Sequence, residues 1–174
     1  METNVDIKRV AKYTILRLIQ NGQSICPLKL QKLLYYIQAW HMVYFERENT
    51  LFNEVPEAWV NGPVYRTIYD EYKNIGIYDQ ITLDNISSNI ENIETDIKKI
   101  HDELNLKQEQ YNFLEAIFLH YGTMSHDKLV YLTHSEKPWN AAREGLSPID
   151  YSDNRISLNE MKEYYKSLSE KSSN

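Results

Sequence analysis

The stretch that decides the fold runs from Pro27 to Tyr65 and has the sequence PLKLQKLLYYIQAWHMVYFERENTLFNEVPEAWVNGPVY. Its first part, about residues 27–48, places apolar side chains around more than half of a helical circumference. Pro27 suits the first turn of a helix, where a missing N–H costs nothing. A helix with this much aromatic surface needs a cover from the rest of the chain. The sequence therefore predicts a mainly α, compact, single-domain fold around a central aromatic helix.

The second part of the stretch predicts a tight turn. Asn61 and Gly62 both accept positive φ, which favours a hairpin connection. Pro63 limits the length of the strand that follows, because proline has no N–H to donate to a neighbouring strand. We expect a small β-hairpin or turn near residues 57–65, and no sheet that carries the fold.

Apolar residues recur at helical spacing on both sides of this stretch. Ser157 and Glu160 have the spacing of a capping box at the start of the last helix. The polar residues 169–174 predict a frayed tail. The predicted flanking helices cover about residues 6–21, 65–75, 107–121, 125–132, a short segment at Pro138, and 156–168.

Residues 77–106 give the weakest signal. Ser87, Ser88 and scattered Ile and Asp residues are typical of an exposed connection, whereas the isoleucines from Ile93 to Ile100 share one helical face. We predict a linker or insert with helical content here, within one domain that spans residues 1–174.

Composition narrows the classes of function. The net charge is −6 and the pI is about 5.4. A surface that neutralises phosphates is normally basic, so a nucleic-acid partner is disfavoured, and an acidic surface suits a basic protein partner. Cys26 is the only cysteine, which excludes an internal disulfide. No signal peptide and no run long enough to span a membrane is present, so we expect a cytoplasmic protein.

The catalytic signal is poor. The five histidines form no HExxH or zinc-binding pattern, and no nucleophile elbow or phosphate-binding loop occurs. His134 and Glu136 are the pair that an enzymatic hypothesis would use. We expect no catalytic site, no metal, no cofactor and no enzymatic activity.

Three ordered motifs carry a resemblance to a known family. They are LKLQKLLYYIQAWH at 28–41, AWVNGPV at 58–64 and THSEKPW at 133–139, and a Tyr164-Tyr165 pair lies in the closing helix. On these residues the chain resembles the Panacea domain, a family that includes phage-associated proteins and SocA-like antitoxins of bacteria and their viruses. The resemblance covers about residues 4–168, with a poor match at 77–106.

The resemblance implies a helical domain of a toxin–antitoxin system that binds and neutralises a toxin encoded nearby. Some relatives act instead as adaptors that deliver a toxin to a protease, and this second hypothesis stays open, as does self-association. An enzyme that uses His134 and Glu136 is the third hypothesis. Because the family pairs with many unrelated toxins, the resemblance does not identify the toxin.

We assign partner contact to polar or amphipathic residues beside the central helix. These candidates are Lys29, Gln31, Lys32, Tyr35, Tyr36, Asn61 and Tyr65. Turn geometry and core packing explain the remaining motif residues, which we interpret as structural. These are Trp40, Trp59, Gly62, Pro63, His134, Pro138 and Trp139.

Overall fold

The computed structural model describes residues 4–173. This part of the chain forms eight α-helices and one two-stranded sheet, which confirms the predicted mainly α fold. The elements are α1 (Ile7–Gln20), α2 (Pro27–Tyr44), β1 (Glu57–Trp59), β2 (Gly62–Val64), α3 (Arg66–Tyr72), α4 (Ile93–Leu104), α5 (Gln108–Tyr121), α6 (His126–Ser135), α7 (Lys137–Ala142) and α8 (Leu158–Ser172). None of these helices is both long and apolar enough to cross a membrane.

Helix α2 lies at the centre of the fold. Every residue from Leu28 to Ala39 is buried, whichever way its side chain points. Helices α1, α3, α5, α6 and α8 and strand β2 all pack against it. Between Leu28 and Ala39 the helix has no solvent face, so its polar residues there must find partners inside the protein.

Helix α2 ends at Tyr44, four residues before the predicted boundary at 48. The ring of His41 bonds through Nδ1 to the carbonyl oxygen of Asn49 at 2.9 Å. Asn49 has a φ of 59°, a left-handed conformation that asparagine tolerates. The chain therefore leaves the helix axis after Tyr44 and turns back towards His41, and the predicted extension to 48 is wrong.

The predicted hairpin near 57–65 is confirmed, but its turn lies one residue earlier than Asn61-Gly62, and of these two residues only Gly62 has a positive φ. Strands β1 and β2 pair antiparallel with Trp59 opposite Gly62, so Val60 and Asn61 form the two-residue connection. Gly62 has a φ of 100° and begins β2. The segment after α7 runs along the other edge of β1, where the Ala58 N–H donates to Asn154 O at 2.7 Å. Both edges of β1 are thus occupied.

Residues 77–92 are mostly exposed, as the sequence suggests, but buried side chains attach the segment 77–106 to the rest of the protein. Helix α4 provides the predicted helical content, and it packs extensively on α1. The segment also contains a short 3₁₀ turn, Asp84–Ile86. Its buried apolar side chains are Ile81, Ile86, Ile93, Ile100 and Leu104. These side chains cover the outer face of α1, which explains why the segment is folded.

Side-chain caps set several helix starts. Asp6, Ser125 and Ser157 each accept a hydrogen bond from an N–H in the first turn of α1, α6 and α8, respectively. At its other end α8 continues to Ser172. The prediction of a frayed tail from 169 is therefore wrong for residues 169–172, and Asn174 lies outside the described residues.

Candidate functional site

The three sequence motifs meet at Gly62. A Cβ atom placed on Gly62 would lie 2.6 Å from Lys32 Cε, on α2, and 2.8 Å from Thr133 Oγ1, on α6. Both distances are too short for any side chain. The positive φ favours glycine at this position, and a side chain here would also force the buried ends of Lys32 and Thr133 to shift.

Lys32 is fully buried beside this glycine. Its Nζ donates to the carbonyl oxygen of Pro63 at 3.0 Å. Burial lowers the pKa of Lys32 to about 7, because no carboxylate compensates for the lost hydration of the ammonium group. Burial also lowers the pKa of His134, and the nearby charge of Lys32 adds to this effect.

The third motif holds β1 from the opposite side. The indole N–H of Trp139 donates to the carbonyl oxygen of Trp59 at 2.9 Å, and the ring of His134 stacks on Trp139 with centroids 4.0 Å apart. The guanidinium group of Arg143 lies 5.0 Å from the centre of the Trp139 ring and donates to Ala58 O at 2.9 Å. These contacts fix the hairpin against α7.

Two glutamines of α2 bind loop backbone in the same way. The side chain of Gln31 accepts from the Tyr65 N–H at 2.8 Å and donates to the Tyr65 carbonyl at 3.2 Å. Seven residues later, Gln38 accepts from the Leu51 N–H at 2.8 Å and donates to Phe52 O at 2.7 Å. Each side-chain amide therefore bonds to a backbone N–H and a backbone carbonyl of the loop beside it, as a neighbouring strand would.

Most of the predicted partner contacts lie inside the protein. Asn61 is exposed, but the other six candidates are buried: Lys29, Gln31, Lys32, Tyr35, Tyr36 and Tyr65. Lys29 donates to the carbonyl oxygens of Ser24 and Gly122, at 3.0 and 2.6 Å. The expectation that these six side chains are presented on the surface is wrong, because α2 is surrounded and each polar side chain that it carries is turned inward.

The motif residues interpreted as structural occupy mixed positions. Gly62, Pro63, Pro138 and Trp139 are buried, whereas Trp40, Trp59 and His134 are partly exposed. Partial exposure gives Trp40 and Trp59 a place in the walls of two surface grooves.

The first groove, here called the hairpin groove, opens between the start of α2, the hairpin and α3. Its volume is about 220 Å³, and it is lined mainly by apolar and aromatic side chains. The lining includes Leu28, Trp59, Asn61, Ile68, Tyr69 and Tyr151. Tyr69 is 37% exposed and Tyr151 is 72% exposed, so aromatic surface is available to a partner.

Polar contacts hold the hairpin groove in shape. Arg66, at the start of α3, binds both carboxylate oxygens of Glu57 on β1, at 3.0 and 2.8 Å. The indole N–H of Trp59 donates to the same carboxylate at 2.6 Å. Burial alone would raise the pKa of Glu57, but the hydrogen bonds from Arg66 and Trp59 outweigh it and lower this pKa. Strand β1 and helix α3 are thereby joined across the groove wall.

The pair named in the enzymatic hypothesis has separate surroundings. The Glu136 carboxylate accepts a hydrogen bond from the hydroxyl of Tyr36, and burial raises the pKa of Glu136. The ring of Tyr36 in turn stacks on Tyr121 at 4.1 Å. Within residues 4–173, His134 and Glu136 form no hydrogen bond with each other, and no cluster of His, Cys, Asp or Glu is arranged to hold a metal ion.

A scan of family models matches residues 30–140 to the antitoxin SocA-like, Panacea domain. The matched region contains nearly all of α2, the hairpin, α3 to α6 and the whole of the third motif. It covers more than half of the chain, so this protein belongs to the SocA-like Panacea domain family. Comparisons with curated proteins and with solved structures find no match.

Sequence reasoning missed several residues of the hairpin groove. Tyr69 lies beside Ile68 and near Tyr72 on α3, so its spacing does not distinguish it from the buried residues of this helix, yet its ring is 37% exposed. Tyr151 lies in an irregular segment far along the chain, and no local pattern distinguishes it. Only the folding of residues 150–156 against the hairpin brings it to the groove.

Proposed function

We propose that this protein is the antitoxin of a toxin–antitoxin pair, acts in the cytoplasm, and neutralises its toxin by direct binding through the hairpin groove. The observation that supports the proposal most is that the family motif AWVNGPV builds one wall of this groove. Trp59, Asn61 and Val64 of this motif all line it. Family membership in the SocA-like Panacea domains supports a toxin as the class of partner.

The size and chemistry of the groove suit a protein partner. Small-molecule pockets usually measure roughly 300–1,000 Å³, whereas the hairpin groove has about 220 Å³. This volume suits one or two inserted side chains. Exposed tyrosines such as Tyr69 and Tyr151 at its rim are of the residue type that dominates binding energy at protein interfaces.

Neutralisation by this route requires no chemistry, only a stable complex that covers the active surface of the toxin. A dissociation constant in the nanomolar range corresponds to about −12 kcal/mol. The rigid attachment of the hairpin to α2, α3 and α7 lowers the entropy that binding must offset, because the groove needs little ordering.

Co-expression tests the proposal. Each open reading frame adjacent to the gene is expressed alone and together with this chain, and growth, toxin level and co-purification are measured. Restored growth with a stable complex is the expected result. Restored growth with loss of the toxin, dependent on a protease, would favour the adaptor hypothesis instead. Absence of rescue with every neighbour would contradict the proposal.

A further inference from the structure

A second groove lies at the other end of α2, between its last turns and α5. We call it the aromatic groove, and it is lined by Trp40, Tyr44, Phe45, Glu109, Phe113 and Ile117. Its volume is about 540 Å³. The ring centroids of Trp40 and Tyr44 are 5.8 Å apart at an interplanar angle of 26°, and those of Tyr44 and Phe113 are 6.1 Å apart. Tyr44 is 62% exposed.

The position of the Trp40 ring is fixed from within the protein. Its indole N–H donates to the hydroxyl of Tyr121 at 2.8 Å, and the ring packs edge-on against buried Tyr165. A partner therefore does not have to satisfy the indole N–H. What the groove offers to a partner is ring surface.

The three tryptophans differ in whether a cationic side chain lies over the ring. Arg66 lies 5.2 Å from the ring of Trp59, and Arg143 lies 5.0 Å from the ring of Trp139. Within residues 4–173, no lysine or arginine lies over Trp40. The face of an aromatic ring carries partial negative charge and attracts cations, most strongly in tryptophan.

The lining of the aromatic groove also carries a negative charge, that of Glu109. Glu109 is exposed and forms no ion pair in the described part of the chain. His120 is the only other ionisable side chain in the lining apart from Tyr44 and Tyr121. The whole chain carries a net charge of −6, which also favours a basic partner.

We propose that the aromatic groove is a second protein-binding surface, whose occupant is a basic segment that places an arginine or lysine side chain over Trp40 and Tyr44 with its charge near Glu109. The long aliphatic stem of such a side chain covers ring surface while its charged end meets the carboxylate. This surface is separate from the hairpin groove, and its occupancy does not depend on the identity of the toxin.

The test uses the full chain with ¹⁵N-labelled tryptophan, whose three indole N–H signals report on Trp40, Trp59 and Trp139 separately. The probe is N-acetyl-arginine amide, and the matched probe is N-acetyl-citrulline amide, which has nearly the same shape without the charge. The arginine compound is expected to shift the Trp40 signal saturably, with a dissociation constant on the order of 1 mM, and citrulline to shift it much less. Trp59 and Trp139 already carry arginines and should move little.

Three variants complete the test. Tyr44→Leu keeps an apolar side chain but removes the ring face, and should weaken arginine binding about threefold. Glu109→Gln should weaken it about twofold. Glu94→Gln is the matched control, because Glu94 is likewise an exposed acid in the first turn of a helix but lies on α4, and it should bind the probe as the unmodified chain does.

Three outcomes would overturn the proposal. They are equal shifts of Trp40 with arginine and citrulline, a Glu109→Gln variant that binds as tightly as Glu94→Gln, and no saturable shift of Trp40 at all. None of these results bears on the hairpin groove, so the second surface is tested independently of the proposed antitoxin function.

Discussion

Lys32 Cε lies 2.6 Å from the point where a Cβ atom on Gly62 would stand. This relationship joins two residues that are 30 positions apart in the sequence, and it shows that the Lys32 side chain occupies the space that a side chain at position 62 would need. Since Lys32 also donates to the backbone carbonyl of Pro63, one buried lysine contacts two consecutive residues of the hairpin.

Gly62→Ala should destabilise the protein by about 3 kcal/mol or more, because it adds backbone strain and a steric clash with Lys32 and Thr133. Gly22→Ala is the control, since Gly22 has a φ of 74° but no atom within 4 Å of its added Cβ. It should cost only about 1 kcal/mol. Urea denaturation of both variants measures the difference, and equal losses would show that the contact with Lys32 is unimportant.

The low pKa of Lys32 predicts a pH dependence of stability. Above about pH 7 the folded state releases the proton of Lys32, whereas the unfolded state keeps it up to the ordinary lysine pKa of 10.5. The unfolded state then binds more protons, so the free energy of unfolding rises with pH in this window, by up to about 1.4 kcal/mol per unit from this group.

Lys32→Met removes this titration, and its stability should rise less steeply than that of the unmodified chain between about pH 7 and pH 9. Urea denaturation at several pH values measures the two slopes. Working below pH 10 avoids the buried tyrosines, whose raised pKa values act in the opposite direction at higher pH. If the free energy of unfolding rose equally steeply with pH in both proteins, the lowered pKa of Lys32 would be contradicted.

Gln31→Met should cost about 2 kcal/mol of stability, because the buried N–H of Tyr65 loses its acceptor. Gln108→Met is the matched control. Gln108 is exposed and bonds only to Asn112 on its own helix, so its replacement should change stability by less than about 0.5 kcal/mol. Thermal and urea denaturation give the comparison, and a similar effect of both changes would refute the role assigned to the Gln31 amide.

Tyr69→Ala should weaken binding of the toxin by about 1–2 kcal/mol, because it removes exposed ring surface from the hairpin groove. Tyr131→Ala removes an exposed ring from α6, outside the lining of either groove, and should leave the affinity unchanged. Titration calorimetry with the co-purified toxin provides the measurement. Melting curves of both variants separate lost contacts from lost folding, because Tyr69 also packs against Trp59.

Much of the fold follows from local pattern. The apolar residues of α2 cover more than half of the helix circumference, and this distribution predicts a central position. Pro27, Ser125 and Ser157 mark helix starts by chemistry that acts within one turn. The hairpin is also predicted locally, from Gly62 and Pro63, although the two connecting residues are Val60 and Asn61. The family motifs are also visible in the chain without any coordinates.

The tertiary structure decided which polar residues are buried and where grooves open. Lys32 reaches a carbonyl 31 residues away, and Trp139 reaches one 80 residues away. A helical pattern shows which side chains share a face, but it does not show whether a lysine on that face will find a carbonyl in the interior. The same holds for residues 77–106, where Ile93 and Ile100 are buried because α4 packs on α1, whereas Ile77 and Ile90 stay exposed. Burial depends on long-range partners, and those exist only in the folded chain.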